Sequence, residues 1–357
     1  MATRRCGVLL LLLMSMAGCG SEAGSDERVE VGVASVGAAP SIFGGQKDDE
    51  GAGTSAVVAL RVGTGSTFEL CSGTLVAPNV VLTARHCVTH NTSSAVACDE
   101  KGHSANGTHV TSDEDPATIG IYPGVSPSFA GDPAATARAI VTPPGPYLCD
   151  SDIALVVLQS PVPGIEPLPM RLHSPARKGE LIRAVGYGQN DQSIPIGTRF
   201  HRDRIPVLAQ GSAVSASKTP LGGREFEVGT SICQGDSGGP AISEETGAVI
   251  GVVSRGGGCT DDFGHIYTTT AGFDDMFAEA FAKAGATPIG EEGDVASIGA
   301  STRSRSTAPG TGNDETVMRT GGCTLGSRSS TGSLSGTQLV SAVAAVLALV
   351  ARRRRTS

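Results

Sequence analysis

The chain has 357 residues, 39% hydrophobic, 17% charged and only 4% aromatic, with 49 glycines and 20 prolines. That composition supplies a sizeable core and favours many turns and short strands over long helices. A formal net charge of −8 leaves no basic footprint, which excludes a nucleic-acid partner.

Along the chain, Arg4 and Arg5, the apolar run Val8 to Met14 and the small residues of "SMAGCG" follow the order of a secretory signal, placed at residues 1–19. Met16-Ala17-Gly18-Cys19 also resembles a bacterial lipoprotein box in which Cys19 would carry the lipid; simple cleavage after Ala17 is the alternative. Residues 20–41, rich in Gly, Ala, Ser and Glu, are expected to be a disordered propeptide. From 42 to about 286 the pattern turns to alternating apolar segments broken by Gly, Pro and Asn: "SAVVALRVG", "VVLTA", "DIALVVL", "ELIRAVGYG" and "GAVIGVVS". Strands at that spacing without helical patterns between them predict an all-β barrel or sandwich. In "GFDDMFAEAFAKAGA", Phe273, Phe277 and Phe281 recur every four residues and predict one late helix.

Residues 287–332 return to Gly, Ser and Thr, the composition of a flexible linker. Residues 333–357 hold "LVSAVAAVLALVA" before Arg352–Arg355. The run is short for a span of about 20 residues, yet an apolar segment capped by arginines stops export with its basic end inside. With "GGCTLG" around Cys323 it resembles the C-terminal sorting signal of myxobacterial surface proteins. The chain is therefore expected to be exported, at the cell surface, associated with the outer membrane or extracellular, with membrane association through these terminal segments.

Nine cysteines suit an oxidising compartment. Cys6, Cys19 and Cys323 belong to the terminal signals. Cys71, Cys87, Cys98, Cys149, Cys233 and Cys259 remain, an even set for three disulfides whose pairing the sequence leaves open.

"CQGDSGGPA", Cys233 to Ala241, carries the chemistry. Glycines around a serine let backbone N–H groups face a reacting carbonyl, and this six-residue string is far more specific than Gly-Ser-Gly alone. "LTARHC" puts His86 directly after an apolar strand, and "CDSDIALVVL" puts Asp152 at the head of another. His, Asp and Ser in this chain order, with these motifs, resemble the trypsin/chymotrypsin-type serine proteases. The resemblance covers Ile42 to about Ala286 and implies two six-stranded antiparallel β-barrels with a C-terminal helix and the site between the barrels. It implies Ser237 as nucleophile, His86 as base and then acid, Asp152 as the group orienting the imidazole, and the N–H groups of Gly235 and Ser237 as the oxyanion hole. It also implies disulfides Cys71–Cys87 and Cys233–Cys259. Cys98–Cys149 is then left by elimination, without a family counterpart.

In this family the zymogen is cut before an Ile-Val-Gly-Gly sequence, and the new amine pairs with the aspartate preceding the serine. The resemblance carries those roles to Ile42 of "IFGG" and to Asp236. The residue before the cut is Ser41, which a trypsin-like activator would not select; the activating protease is unspecified. Such a cut would detach the protease from a lipid on Cys19.

Several residues depart from the family pattern. Arg85 stands where a small Ala is usual, and is expected to overpack or to reach outward. Phe43 replaces Val, while Tyr187 and Arg255 replace aromatics. Among expected substrate-binding residues, Ser231 falls where trypsin-like enzymes carry a pocket-floor Asp, which disfavours Arg or Lys at P1. Ser254 and Gly256 flank an open mouth, and His265 falls at a wall position usually Gly. A His265 that narrows the pocket or donates a hydrogen bond leaves small, medium apolar or acidic P1 residues open; the alternative is a His265 turned away from the pocket. The other histidines lack metal-ligand spacing, and no metal or cofactor is expected. The reading is a serine endopeptidase acting on protein or peptide substrates through an acyl-enzyme; the alternative is a catalytically weak protease-fold module for binding or adhesion.

Overall fold

Strand alternation sorts the apolar residues of this chain onto two sides of each barrel wall. The computed structural model describes residues 42–291, apart from 50–53, 66, 100, 190–193, 195, 213–217 and 257. The expected signal, propeptide and apolar tail lie outside the described residues. So does the expected linker beyond Glu291.

After a two-residue strand β1 (Gln46–Lys47) come β2 (Val57–Val62), β3 (Glu69–Ala77) and β4 (Val80–Thr83). A side hairpin follows, β5 (Thr89–Asn91) with β6 (Val110–Asp113), and then β7 (Ile119–Tyr122), β8 (Ala135–Val141) and β9 (Ala154–Leu158). The strands β2-β3-β4-β9-β8-β7 close into an antiparallel barrel. In β9, Ala154, Val156 and Leu158 point inward beside Leu60, Leu75 and Ile121. Leu155 and Val157, on the opposite face, meet the late helix and the second barrel.

The second barrel uses β10 (Leu181–Gly186), β11 (Phe200–Gln210), β12 (Glu225–Val228), β13 (Pro240–Ser243), β14 (Val249–Arg255) and β15 (His265–Thr269). Pairing of β11 with both β10 and β12 closes this ring of six, and β1 adds to the outer edge of β11. Its core holds Ile182, Phe200, Ile250 and the stacked rings of Phe226 and Tyr267, 5.4 Å apart. Ile42, fully buried, belongs to this core, a gain of about 1.5–3 kcal/mol for its side chain.

The expected helix is α1 (Asp274–Ala284). Asp274 and Asp275 in its first turn and Lys283 in its last complement the helix dipole, and Gly285, at φ 62°, closes it in the left-handed region. Phe277 and Phe281 bury one face on β9, while Phe273 sits at the N-cap beneath the Arg224 guanidinium, 4.3 Å from the ring centre. Packing continues past 286, where composition put the start of the linker. The Met170 N–H donates to the Ile289 carbonyl at 2.9 Å, and Arg171 pairs with both Glu180 and Glu291. The fold is all-β, two closed six-stranded antiparallel barrels and one helix, as expected.

Candidate active site

His86 lies in a single 3-10 turn, Arg85–Val88, directly after β4, and Asp152 lies two residues before β9. Pairing of β4 with β9 brings them together. The His86 backbone N–H donates to Asp152 Oδ1 at 2.9 Å, and His86 Nδ1 meets Oδ2 at 2.8 Å. Ser254, at the end of β14, donates its hydroxyl to the same Oδ2 at 2.7 Å. Burial pushes the Asp152 carboxyl up, but His86 and the Ser254 hydroxyl outweigh it and hold the group below its ordinary value. Burial pulls His86 down, and the charge and hydrogen bond of Asp152, helped by Glu69, more than reverse it, so the imidazole is raised.

Ser237 sits in the loop between β12 and β13, and lines one cleft of about 800 Å³ with His86, Ser254 and Gly256. The carbonyls of that loop are tied down one by one. Cys233 accepts from the Asp236 N–H at 3.2 Å, Gln234 from Gln189 N–H at 2.9 Å, and Gly235 from the Ser72 hydroxyl at 3.0 Å. Asp236 accepts from Gly239 N–H at 2.8 Å and Ser237 from Ser72 N–H at 2.8 Å. Among the described residues, the N–H groups of Gly235 and Ser237 have no acceptor. Two adjacent free donors held by a fully bonded frame are suited to a developing oxyanion. Gly235 (φ 93°) and Gly238 (φ 78°) supply the left-handed turns, and a Cβ on Gly238 would collide with Thr83 and the Ser72 carbonyl.

Beneath this loop the Asp236 carboxylate, fully buried, accepts from Ile42 N at 2.9 Å, Cys233 N–H at 2.9 Å and Gly188 N–H at 3.0 Å. Burial still dominates and pushes the carboxyl up to about 7. Ile42 and Asp236 are 194 positions apart in sequence.

The expected specificity residues divide. Ser254 and Gly256 line the cleft, whereas Ser231 and His265 are fully buried and do not. Ile232 does line it, and a Cβ placed on Gly256 would lie 3.3 Å from Ile232 Cδ1 and 3.8 Å from His265 Nδ1. The His265 ring is spent on backbone. Its Nδ1 accepts from the Ile232 N–H at 3.3 Å, which leaves Nε2 to donate to the Asp261 carbonyl at 2.9 Å. Burial lowers its pKa, so the ring is neutral and offers no charge to an acidic P1 side chain. The Ser231 and Tyr267 hydroxyls make no well-formed hydrogen bond among the described residues.

Arg85 neither displaces His86 nor reaches water. Its guanidinium donates to the carbonyls of Gly145 at 2.8 Å and Tyr147 at 3.4 Å. That loop is also bonded to the 92–109 segment by the Cys98–Cys149 disulfide and to the start of β6 by the Val110 N–H, which donates to the Pro146 carbonyl at 2.7 Å. Leu148, Ala95 and Val96 thereby form one wall of the cleft. The other two disulfides are Cys71–Cys87 and Cys233–Cys259.

Sequence reasoning missed three supports. Ser72 braces the Ser237 loop from another strand, and only its position after Cys71 hinted at it. Arg255 sits in the cleft with its guanidinium paired to buried Glu225 at 2.6 and 2.7 Å. Asp48 is buried against Arg199 and His201, so His201 is a strand residue within an ion cluster rather than a loop histidine.

The family model Trypsin matches residues 42–276. The chain is 28% identical to tryptase of Mus musculus over 227 residues, 57% of this chain and 74% of that protein. It is 28% identical to trypsin of Squalus acanthias over 222 residues, 59% of this chain and 83% of the relative. It also shares 28% identity over 233 residues with protein masquerade of Drosophila melanogaster, of which the match covers 20%. With that match over most of its length and a two-barrel fold, the chain belongs to the trypsin family of serine endopeptidases.

Proposed function

We propose that this chain is an exported serine endopeptidase, made as a zymogen and activated by a cut before Ile42. Ser237 attacks the scissile carbonyl, His86 takes its proton and returns it to the leaving amine, and Asp152 holds and stabilises the imidazolium. The Gly235 and Ser237 amides hold the oxyanion. One observation carries this: the hydrogen-bonded run Ser254–Asp152–His86 opens onto the same cleft as Ser237, whose loop bears the two free amides. Arg85, the feature that favoured a binding module, is taken up by carbonyls beside the cleft and argues for none. Export is supported by the three disulfides and by the leading apolar segment; a membrane tether through Cys19 or the 339–351 run belongs to the same proposal.

Activation is supported by what the uncut chain must do to bury Ile42. With its peptide bond intact, Ile42 sits at φ 25°, a poor conformation for a β-branched residue and a strain of about 1–3 kcal/mol. A cut frees that torsion and turns an amide donor into an ammonium facing Asp236. For P1, the Ile232 side chain lines the cleft close to Gly256, which supports a small side chain in place of a basic, acidic or large one.

Peptide-library cleavage by protein starting at Ile42, together with fluorophosphonate labelling, tests the reading. Cleavage after small residues and labelling, both lost in Ser237→Ala, is expected. A folded sample with Ile42 free that neither labels nor cleaves would return the binding module to first place.

A further inference from the structure

Arg255 is the one Lys or Arg among the described residues that line the cleft. It ends β14, between Ser254 and Gly256, and its side chain is only 11% exposed. Its two terminal nitrogens meet the Glu225 carboxylate end-on, Nη1 donating to Oε1 at 2.6 Å and Nη2 to Oε2 at 2.7 Å. Glu225 is fully buried and accepts two more bonds at 2.9 Å, from the Asp150 N–H on Oε1 and the Gly222 N–H on Oε2. Two backbone amides thus share the carboxylate charge with the guanidinium, which keeps part of its own. The remaining three N–H groups of Arg255 have no acceptor among the described residues.

What such an edge can hold is seen elsewhere in the molecule. Arg171 meets buried Glu180 in the same end-on fork, Nη1 at 2.9 Å and Nη2 at 2.8 Å. It still binds a second carboxylate, with Nε donating to both oxygens of Glu291 at 2.8 Å. Arg255 repeats the first half of that arrangement on a residue that lines the cleft.

We infer that Arg255 receives a carboxylate of the substrate, from an Asp or Glu at one of P2 to P4, and that Glu225 is the positioning residue that fixes its fork. The inference rests on the endopeptidase reading above. In that reading the leaving amine lies at His86, so the acyl half of the substrate runs from Ser237 along Ser254–Gly256. The acid is taken beside the P1 site at Ile232 and Gly256, not within it. A guanidinium this buried is weakly screened, so a charge-assisted contact there is stronger than one at the surface.

The test uses the full-length chain carrying Ser41→Lys and cut by immobilised trypsin, a portion of it labelled with a fluorophosphonate to count active sites. Peptide pairs share a small P1 residue and differ only by Glu or Gln at P2, P3 or P4. At one of these positions kcat/KM is expected to favour Glu at least about tenfold, chiefly through a lower KM. In the double variant Arg255→Gln, Glu225→Gln, two amides replace the ion pair, and the Glu/Gln ratio should fall to about one. That ratio compares two peptides on one enzyme, so general damage to the cleft cancels. If the double variant does not fold, Arg255→Lys keeps the charge without the fork and should lower the ratio at least about threefold. An active, labelled enzyme with a ratio near one at all three positions overturns the inference and leaves the endopeptidase standing. A preference for Glu that survives these substitutions does the same. Folded protein that neither labels nor cleaves any peptide overturns the endopeptidase reading and this inference with it.

Discussion

Asp152 accepts hydrogen bonds from the His86 backbone, from its ring and from Ser254, so one carboxylate sets both the place and the tautomer of the proposed base. Asp152→Asn keeps the shape but presents an amide to His86 Nδ1, and kcat is expected to fall about 10⁴-fold with substrate binding little changed. Glu69 lines the cleft and adds to the rise of the His86 pKa. Activity requires neutral His86, so the acid limb of the kcat/KM profile should lie above the ordinary value of 6.5. Glu69→Gln removes a charge that favours the imidazolium and should move that limb to lower pH. A limb that stays put would show that Glu69 is screened by solvent.

At the scale of elements, the cleft wall made by the 92–109 segment and the loop before Asp152 is held by covalent and polar ties. Cys98 and Cys149 close a separation of 51 residues, and replacing both by Ser is expected to cost about 2–4 kcal/mol in urea unfolding. Arg85→Ala removes the guanidinium bridge to Gly145 and Tyr147. Because that wall lines the cleft while the His86 to Asp152 bonds come from elsewhere, KM for peptide substrates should rise severalfold with kcat nearly kept. A fall in kcat with unchanged KM would place Arg85 in the support of His86 instead. The late helix is a simpler case: Phe277 is buried against β9, and Phe277→Ala should cost about 3–5 kcal/mol by the same unfolding measurement.

The whole molecule couples its N-terminal segment to the Ser237 loop through Asp236. In the uncut chain burial pushes that carboxyl up to about 7 from an ordinary 3.8. A carboxyl raised on folding contributes stability that is complete below its ordinary value and is lost as pH rises toward and through about 7, an effect of about 4 kcal/mol for a shift of that size. A chain cut before Ile42, as proposed, would gain an ammonium there, which would keep the carboxylate paired and remove the loss. Urea unfolding of uncut Ser237→Ala precursor between pH 4 and 7 should therefore show falling stability with rising pH. The same protein carrying Ser41→Lys and cut by trypsin should not. Parallel curves for the two would disconnect Asp236 from activation.

The six-residue motif around Ser237, the alternating strands and the single amphipathic helix were legible because each is a local pattern with its own period or spacing. The local sequence thus determined the all-β class and the late helix, and it singled out His86, Asp152 and Ser237 as the candidates for the chemistry. It misread Arg85 and residues 287–291 and left the side of His265 open, since a guanidinium, an imidazole or a Gly-rich stretch has no fixed burial until the neighbouring chain is in place. His265 is neutral because a backbone N–H and a carbonyl from separate loops occupy its two nitrogens. The Gly256 edge of the cleft is crowded because Ile232, on another loop, comes within 3.3 Å of where a Cβ there would sit. Ser72 supports the oxyanion loop from a strand 163 positions away. Which groups are candidates to react was a matter of local chemistry; how the cleft is lined and how its loop is held were decided only by contacts between distant segments, because hydrogen bonding and exclusion act through space and leave no periodic mark along the chain.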